Sequence, residues 1–194
     1  MQRVKSTLMH NSFYSTLLCT IFIASTSLNA AIYDGDVLDI FAKIAPRLVL
    51  MSSQKDRLKE NIEICVLHDK IDETAKTSFI GRIESSYPHG IKNYPIKLID
   101  GDYTHIDLCK NSHLLFMLST NENNIKNSLK YAAVHSSLTM SYDPGLLTYG
   151  VNASLFLGRK VTPYLNLDST QKNKIEFDNL LIRISKIYLN EGEK

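Results

Sequence analysis

Leu114-Leu115-Phe116-Met117-Leu118 is the most apolar run beyond the first thirty residues, and its unbroken row of core-type side chains reads as a strand covered on both faces. Ile62-Glu63-Ile64-Cys65-Val66-Leu67 reads in the same way, as a buried strand of a parallel sheet that His68-Asp69-Lys70 ends. Between the two, a helix is expected from Asp72 to about Glu84, with Ala75, Phe79, Ile80 and Ile83 on one stripe. Turn chemistry follows at residues 85–90, then a half-buried strand, Tyr94-Pro95-Ile96-Lys97-Leu98-Ile99, which Asp100-Gly101-Asp102 closes.

Working outward, Asp34 or Asp36 caps a helix in which Val37, Leu38, Phe41, Ile44, Ala45, Leu48 and Val49 recur at helical spacing. Pro46 predicts either a kink near residues 42–45 or a split into two short helices, because proline removes one backbone bond and crowds the turn before it. Residues 52–56 read as a polar connection. Downstream of the central run, a helix is expected over residues 121–134, with Ile125, Leu129, Ala132 and Ala133 inward. This alternation is the grammar of a three-layer α/β domain, a largely parallel sheet flanked by helices.

The last third changes character. Leu138-Thr139-Met140-Ser141-Tyr142 reads as a strand, and Val151, Ala153, Leu155 and Leu157 alternate with Asn152, Ser154 and Phe156. Gly158-Arg159-Lys160 turns the chain, and residues 161–167 return as the partner in a C-terminal antiparallel hairpin. Pro163 predicts an edge position for the return strand. Asp168 with Gln171 resembles a capping arrangement, and Asp178 can cap a final helix carrying Leu181, Ile184, Ile187 and Tyr188.

The N-terminus predicts the compartment. Arg3 and Lys5 form a basic start, and residues 13–28 form an apolar, small-residue core, as in a cleaved secretory signal ending at Ala30. Residues 31–194 then form a single domain in an oxidising, periplasmic setting. The whole chain has 22 Lys plus Arg against 20 Asp plus Glu, and the first thirty residues hold only Arg3 and Lys5 among these, so the remainder is neutral. A neutral chain without a basic run carries no electrostatic footprint for nucleic acid or an anionic lipid surface.

Cys65 and Cys109 remain beyond the signal, and an even count outside the cytoplasm invites a disulfide. Closing that loop would stabilise by roughly 3–4 kcal/mol. A redox-active pair would want a Cys-x-x-Cys spacing, which is missing. Candidates for other chemistry are weak. His105-Ile106-Asp107 and His113 hold metal-ligand residue types, but at no standard zinc spacing, and a solvated connection is expected there. His68 and Asp69 end a strand where α/β folds place ligands, and read as a hydrogen-bonded surface pair. No nucleophile elbow and no phosphate loop occurs. Tyr142, Tyr149 and Tyr164 are candidates to line one face.

Three blocks together resemble the YfiR-like family of periplasmic regulators: Ile64-Cys65-Val66-Leu67, Cys109 with His113-Leu114-Leu115-Phe116, and residues 161–184 with Asn166-Leu167 and Leu180-Leu181. The resemblance implies a non-enzymatic protein without a cofactor. It would bind and restrain an inner-membrane sensor, the periplasmic domain of a diguanylate cyclase or a histidine kinase, lowering cyclic di-GMP and opposing biofilm formation. A homodimer is a further possibility. The late hairpin and its flanks would be the contact surface, with Tyr149, Arg159, Lys160, Tyr164 and Asn166 as its candidate residues. Read by itself, Asn166 is a polar turn-former that Asp would replace with little loss. Two other readings stay open: a periplasmic small-molecule- or metal-binding module feeding a sensor kinase, and a small hydrolase.

Overall fold

Ile62–His68 (β1), Ile96–Asp102 (β2), Leu114–Met117 (β3), Leu138–Ser141 (β4), Ala153–Leu157 (β5), Val161–Leu165 (β6) and Lys186–Ile187 (β7) build one sheet in the computed structural model, which describes residues 32–189. The strand order is β2-β1-β3-β4-β5-β6-β7. Strands β1 to β5 pair in parallel, β6 returns antiparallel to β5, and β7 runs parallel to β6. The expected α/β class, with its antiparallel C-terminal hairpin, is the fold observed. The expected signal, residues 1–30, lies outside the described residues. Among those described, no helix is long and apolar enough to cross a membrane.

The unbroken apolar runs follow from the layering. Alternate residues of β1 and β3 point to opposite faces. Ile62, Ile64, Val66, Leu114 and Phe116 face the helices Gly35–Leu50 (α1) and Glu73–Ser86 (α2). Cys65, Leu67, Leu115 and Met117 face the helix Glu122–His135 (α3). Phe116 is gripped by rings on its own face, stacked on Phe79 at 3.9 Å and edge-on to Phe41 at 5.5 Å. Cys65 and Cys109 are joined, Cα to Cα 5.6 Å, so the sulfur pair ties β1 to the short 3-10 turn Ile106–Cys109. A buried disulfide fits a protein of an oxidising compartment.

Several expectations need correction. Helix α1 runs unbroken past Pro46, because a nearly continuous stripe from Leu38 to Leu50 is buried and outweighs one missing backbone bond. Asp34, not Asp36, caps it, accepting from the backbone N–H groups of Asp36 and Val37 at 2.8 and 3.0 Å. The polar connection at 52–56 is a 3-10 turn, Ser53–Arg57, with Gln54 buried. Strand β2 continues through Asp100-Gly101-Asp102 rather than ending there. On α3, Ser128 is buried where Ala133 was expected, and Ala133 is exposed.

The C-terminal third departs furthest. Val151 to Leu155 are buried without alternation, whereas Leu157 lies in solvent. Strand β6 is interior, because β7 pairs with it at Tyr164 and Leu165; Pro163 sits just before that pairing begins, where its missing N–H costs nothing. Asn166, rather than Asp168, caps the helix Leu167–Lys172 (α4). The final helix Asn179–Ile184 (α5) buries Leu181 only; Ile184 is exposed, and Ile187 belongs to β7. Asp178 precedes α5 without a side-chain capping bond, and is paired instead with Lys55 at 2.8 Å.

The two ends of the domain are clasped. Ser53 N–H donates to Glu176 O and Asp178 N–H to Met51 O, both at 2.8 Å, flanking an antiparallel bridge from Ser52 to Phe177.

Candidate functional site

The hairpin of β5 and β6 extends beyond the sheet. Its own register runs over five pairs, from Ala153↔Leu165 to Leu157↔Val161. Strand β4 pairs with β5 only at Ala153, and β7 reaches β6 only at Tyr164 and Leu165. Residues 156–162 therefore form an arm with no strand on either flank. At its tip, Phe156, Leu157 and Val161 are 38, 51 and 38 % exposed, and Arg159 and Lys160 are exposed in the turn between them. Lys186 of β7 places Nζ 3.6 Å above the Phe156 ring, and Tyr164 meets that ring edge-on at 5.9 Å.

The five expected contact residues do not form one surface. Arg159 and Lys160 occupy the tip and Tyr164 the base of the arm. Tyr149 is exposed at the end of the 3-10 turn Pro144–Tyr149, where Gly150 takes φ 106°, a conformation that favours glycine. Asn166 is buried and cannot meet a partner. Its Oδ1 accepts from Ser169 N–H and its Nδ2 donates to Leu147 O, both at 2.9 Å. Neighbouring Asn152 accepts from Thr139 N–H at 3.0 Å and donates to Ser169 Oγ at 3.0 Å. The Asn152 amide stands in for the ladder that β4 and β5 scarcely make. Tyr142, Tyr149 and Tyr164 do not share a face either, since Tyr142 packs on Tyr33 and Phe41, away from Tyr164.

A second cluster lies at the carboxyl ends of β1 and β2. His68 is buried rather than on the surface. It bonds not to the Asp69 carboxylate but to Asp100, Nε2 to Oδ1 at 2.8 Å. Buried Lys76 reaches Asp100 at 2.6 Å and Glu73 at 2.7 Å. Burial opposes both charges, yet these bonds hold the Lys76 ammonium above and the Asp100 carboxyl below their ordinary ranges.

At the topological switch point, where β1 and β3 lead off in opposite directions, an α/β fold places its ligand crevice. Tyr33 fills that position here. Its hydroxyl accepts from Ser119 N–H at 2.9 Å, while its ring meets Tyr142 edge-on at 4.8 Å. Burial pushes the phenol up to about 12 and the Asp72 carboxyl above its usual range, with Asp69 adding repulsion to the latter. A carboxyl raised in the fold binds its proton more tightly than in the unfolded chain, so stability falls as pH rises through the carboxylate range. Asp72→Asn should therefore raise the melting temperature at neutral pH, and the gain should vanish once the pH falls below the ordinary Asp value. A gain that persists in acid would refute this account.

The metal candidates stay apart. His105 and Asp107 are exposed on the connection before Cys109, as expected. His113, expected on that same solvated connection, is buried instead, and its Nδ1 accepts from Glu63 N–H at 3.0 Å. Among the described residues, no group of three or more His, Cys, Asp or Glu is arranged to hold a metal ion. Sequence reasoning found the basic turn of the tip but missed its exposed apolar side chains, because Phe156 and Leu157 were read into an alternating strand. Two adjacent apolar residues against Gly158-Arg159-Lys160 were the available signal.

No protein-family model matches the chain, and no curated protein does. Among solved structures, the chain is similar to a conserved domain protein of Vibrio cholerae O1 biovar El Tor, with a TM-score of 0.58 and 9% identity, covering 77% of this chain and 59% of that one. It is also similar to an ABC domain from Streptococcus pneumoniae solved in complex with L-Trp, with a TM-score of 0.54 and 7% identity, covering 76% and 60%. The chain thus spans about three-fifths of the length of each. These likenesses show the α/β fold.

Proposed function

We propose that this is a periplasmic, non-enzymatic regulator of the YfiR-like kind, which binds the periplasmic part of an inner-membrane sensor, a diguanylate cyclase by preference, and holds it inactive. The observation that carries the reading is the arm: a hairpin that presents Leu157, Arg159, Lys160 and Val161 to solvent beyond the strands that flank its base. The disulfide fits the compartment. Such a protein acts by population shift, lowering output in proportion to its preference for the inactive sensor.

Deleting the gene should raise cyclic di-GMP and biofilm, and the purified protein should bind the isolated periplasmic domain of a co-encoded sensor without lipid present. Unchanged cyclic di-GMP together with no binding would end the reading. Arg159→Glu should weaken that binding roughly tenfold or more while leaving the melting temperature unchanged, since an exposed turn cation affects association more than folding. Unaltered affinity would move the contact surface elsewhere.

A second reading, a small-molecule-binding module feeding a sensor kinase, has one observation in its favour, the likeness to a chain solved with L-Trp. A saturable rise in melting temperature with L-Trp or another amino acid would favour it.

A further inference from the structure

We propose that the tip of the β5–β6 arm docks on the anionic surface of a phospholipid bilayer. This goes beyond sensor binding, because the occupant is lipid. The balanced charge of the chain hides a local segregation. Between Asp143 and Asp168 there is no acidic residue, and the charges of that span are Arg159 and Lys160, side by side in the turn. Lys186 adds a third cation beside Phe156. The neutrality that argued against an anionic lipid footprint holds for the sum and fails at this one protrusion.

The apolar side chains are placed to match. Leu157 lies opposite Val161, two pairs beyond Leu155↔Pro163 and therefore on the same side, so one face of the arm carries the buried row of Leu155 and Leu165 outward into solvent. Phe156 stands on the other face beneath Lys186. Aliphatic and aromatic groups around a basic turn suit the boundary between headgroups and acyl chains, where the apolar parts enter and the cations stay at the phosphates. The arm's shape suits a lipid surface. A tip without strands on either flank needs a matching hollow in a folded partner, whereas a fluid bilayer accepts it as it is.

The chain has no tryptophan, so Leu157→Trp installs a single reporter at the tip. With vesicles of phosphatidylcholine containing one-third phosphatidylglycerol, its emission should shift to the blue, and the shift should fade with added salt. Vesicles of phosphatidylcholine alone should give a much smaller shift. A Val134→Trp control, on the exposed end of α3, should not respond. Adding Arg159→Glu and Lys160→Glu to the Leu157→Trp protein should weaken vesicle binding roughly tenfold or more. No shift, an equal response to neutral vesicles, or an equal shift in the control would overturn the proposal. No sensor is present in this experiment and no lipid in the sensor-binding one, so either reading can fail alone.

Discussion

Gly101→Ala should cost the fold more than about 3 kcal/mol, as much as many large core deletions, although it adds one methyl group. A β-carbon there would stand 2.5 Å from Cys65 Sγ, 2.8 Å from Cys109 Sγ and 3.1 Å from Leu67 Cδ2. None of these neighbours can give way cheaply. The sulfurs are bonded to each other and wholly buried, and the backbone of β2 is held against β1 at Leu67↔Gly101. The disulfide itself closes a separation of 44 residues, worth about 4 kcal/mol by the chain-entropy argument. The two effects are coupled through one small volume. In the Cys65→Ala/Cys109→Ala background, the added methyl group should enter the space the sulfurs vacate, and the cost of Gly101→Ala should shrink to a small fraction. Urea denaturation of the four proteins measures the coupling, and simple additivity would show that the contact is not what makes glycine necessary.

Asn166→Asp should destabilise as much as Asn166→Ala, by about 2–4 kcal/mol, contrary to what its place as a turn-former suggests. Alanine leaves Ser169 N–H without a partner in a closed site and Leu147 O with only the bond from Gly150 N–H at 3.1 Å. Aspartate keeps the bond from Ser169 but sets a carboxylate oxygen 2.9 Å from the Leu147 carbonyl oxygen, where Nδ2 had donated. The folded-state pKa of that carboxyl would be raised, so the Asp protein should regain stability as pH falls, and the Ala protein should not. Melting curves from neutral to acid pH separate the two. An Asp variant as stable as the parent at neutral pH would mean that the amide nitrogen has no part in holding the turn.

How much was legible can be judged from particular residues. The runs at 62–67 and 114–118 declared themselves because a strand covered on both faces must be apolar at both parities. The hairpin was legible because Gly158-Arg159-Lys160 breaks two β-rich runs. The misses share one cause, tertiary contacts that override local chemistry. Asp100-Gly101-Asp102 has the composition of a turn, yet Gly101 is needed beneath a disulfide formed by residues far away, and Asp100 pairs with His68 and Lys76. Pro46 was read as kinking the helix or splitting it in two, and packing keeps the helix in one piece around it. Asn166 has the composition of a surface, and its bonds to Ser169 N–H and the carbonyl of Leu147 explain its burial. Period alone also placed Ile187 on a helix, although β6 had an open side that it could join as a strand.

The clasp between residues 51–53 and 176–178 bears on the order of events during folding. Glu176 and Ser53 are 123 positions apart, and closing such a loop costs on the order of 4 kcal/mol before any contact is gained. The end of α1 is among the first parts of the domain to leave the ribosome, and its clasping segment is among the last. A chain still being made cannot complete its helical layer, and contacts of such long separation form slowly. The wiring of the fold itself thereby delays completion of the domain until nearly the whole of it is available.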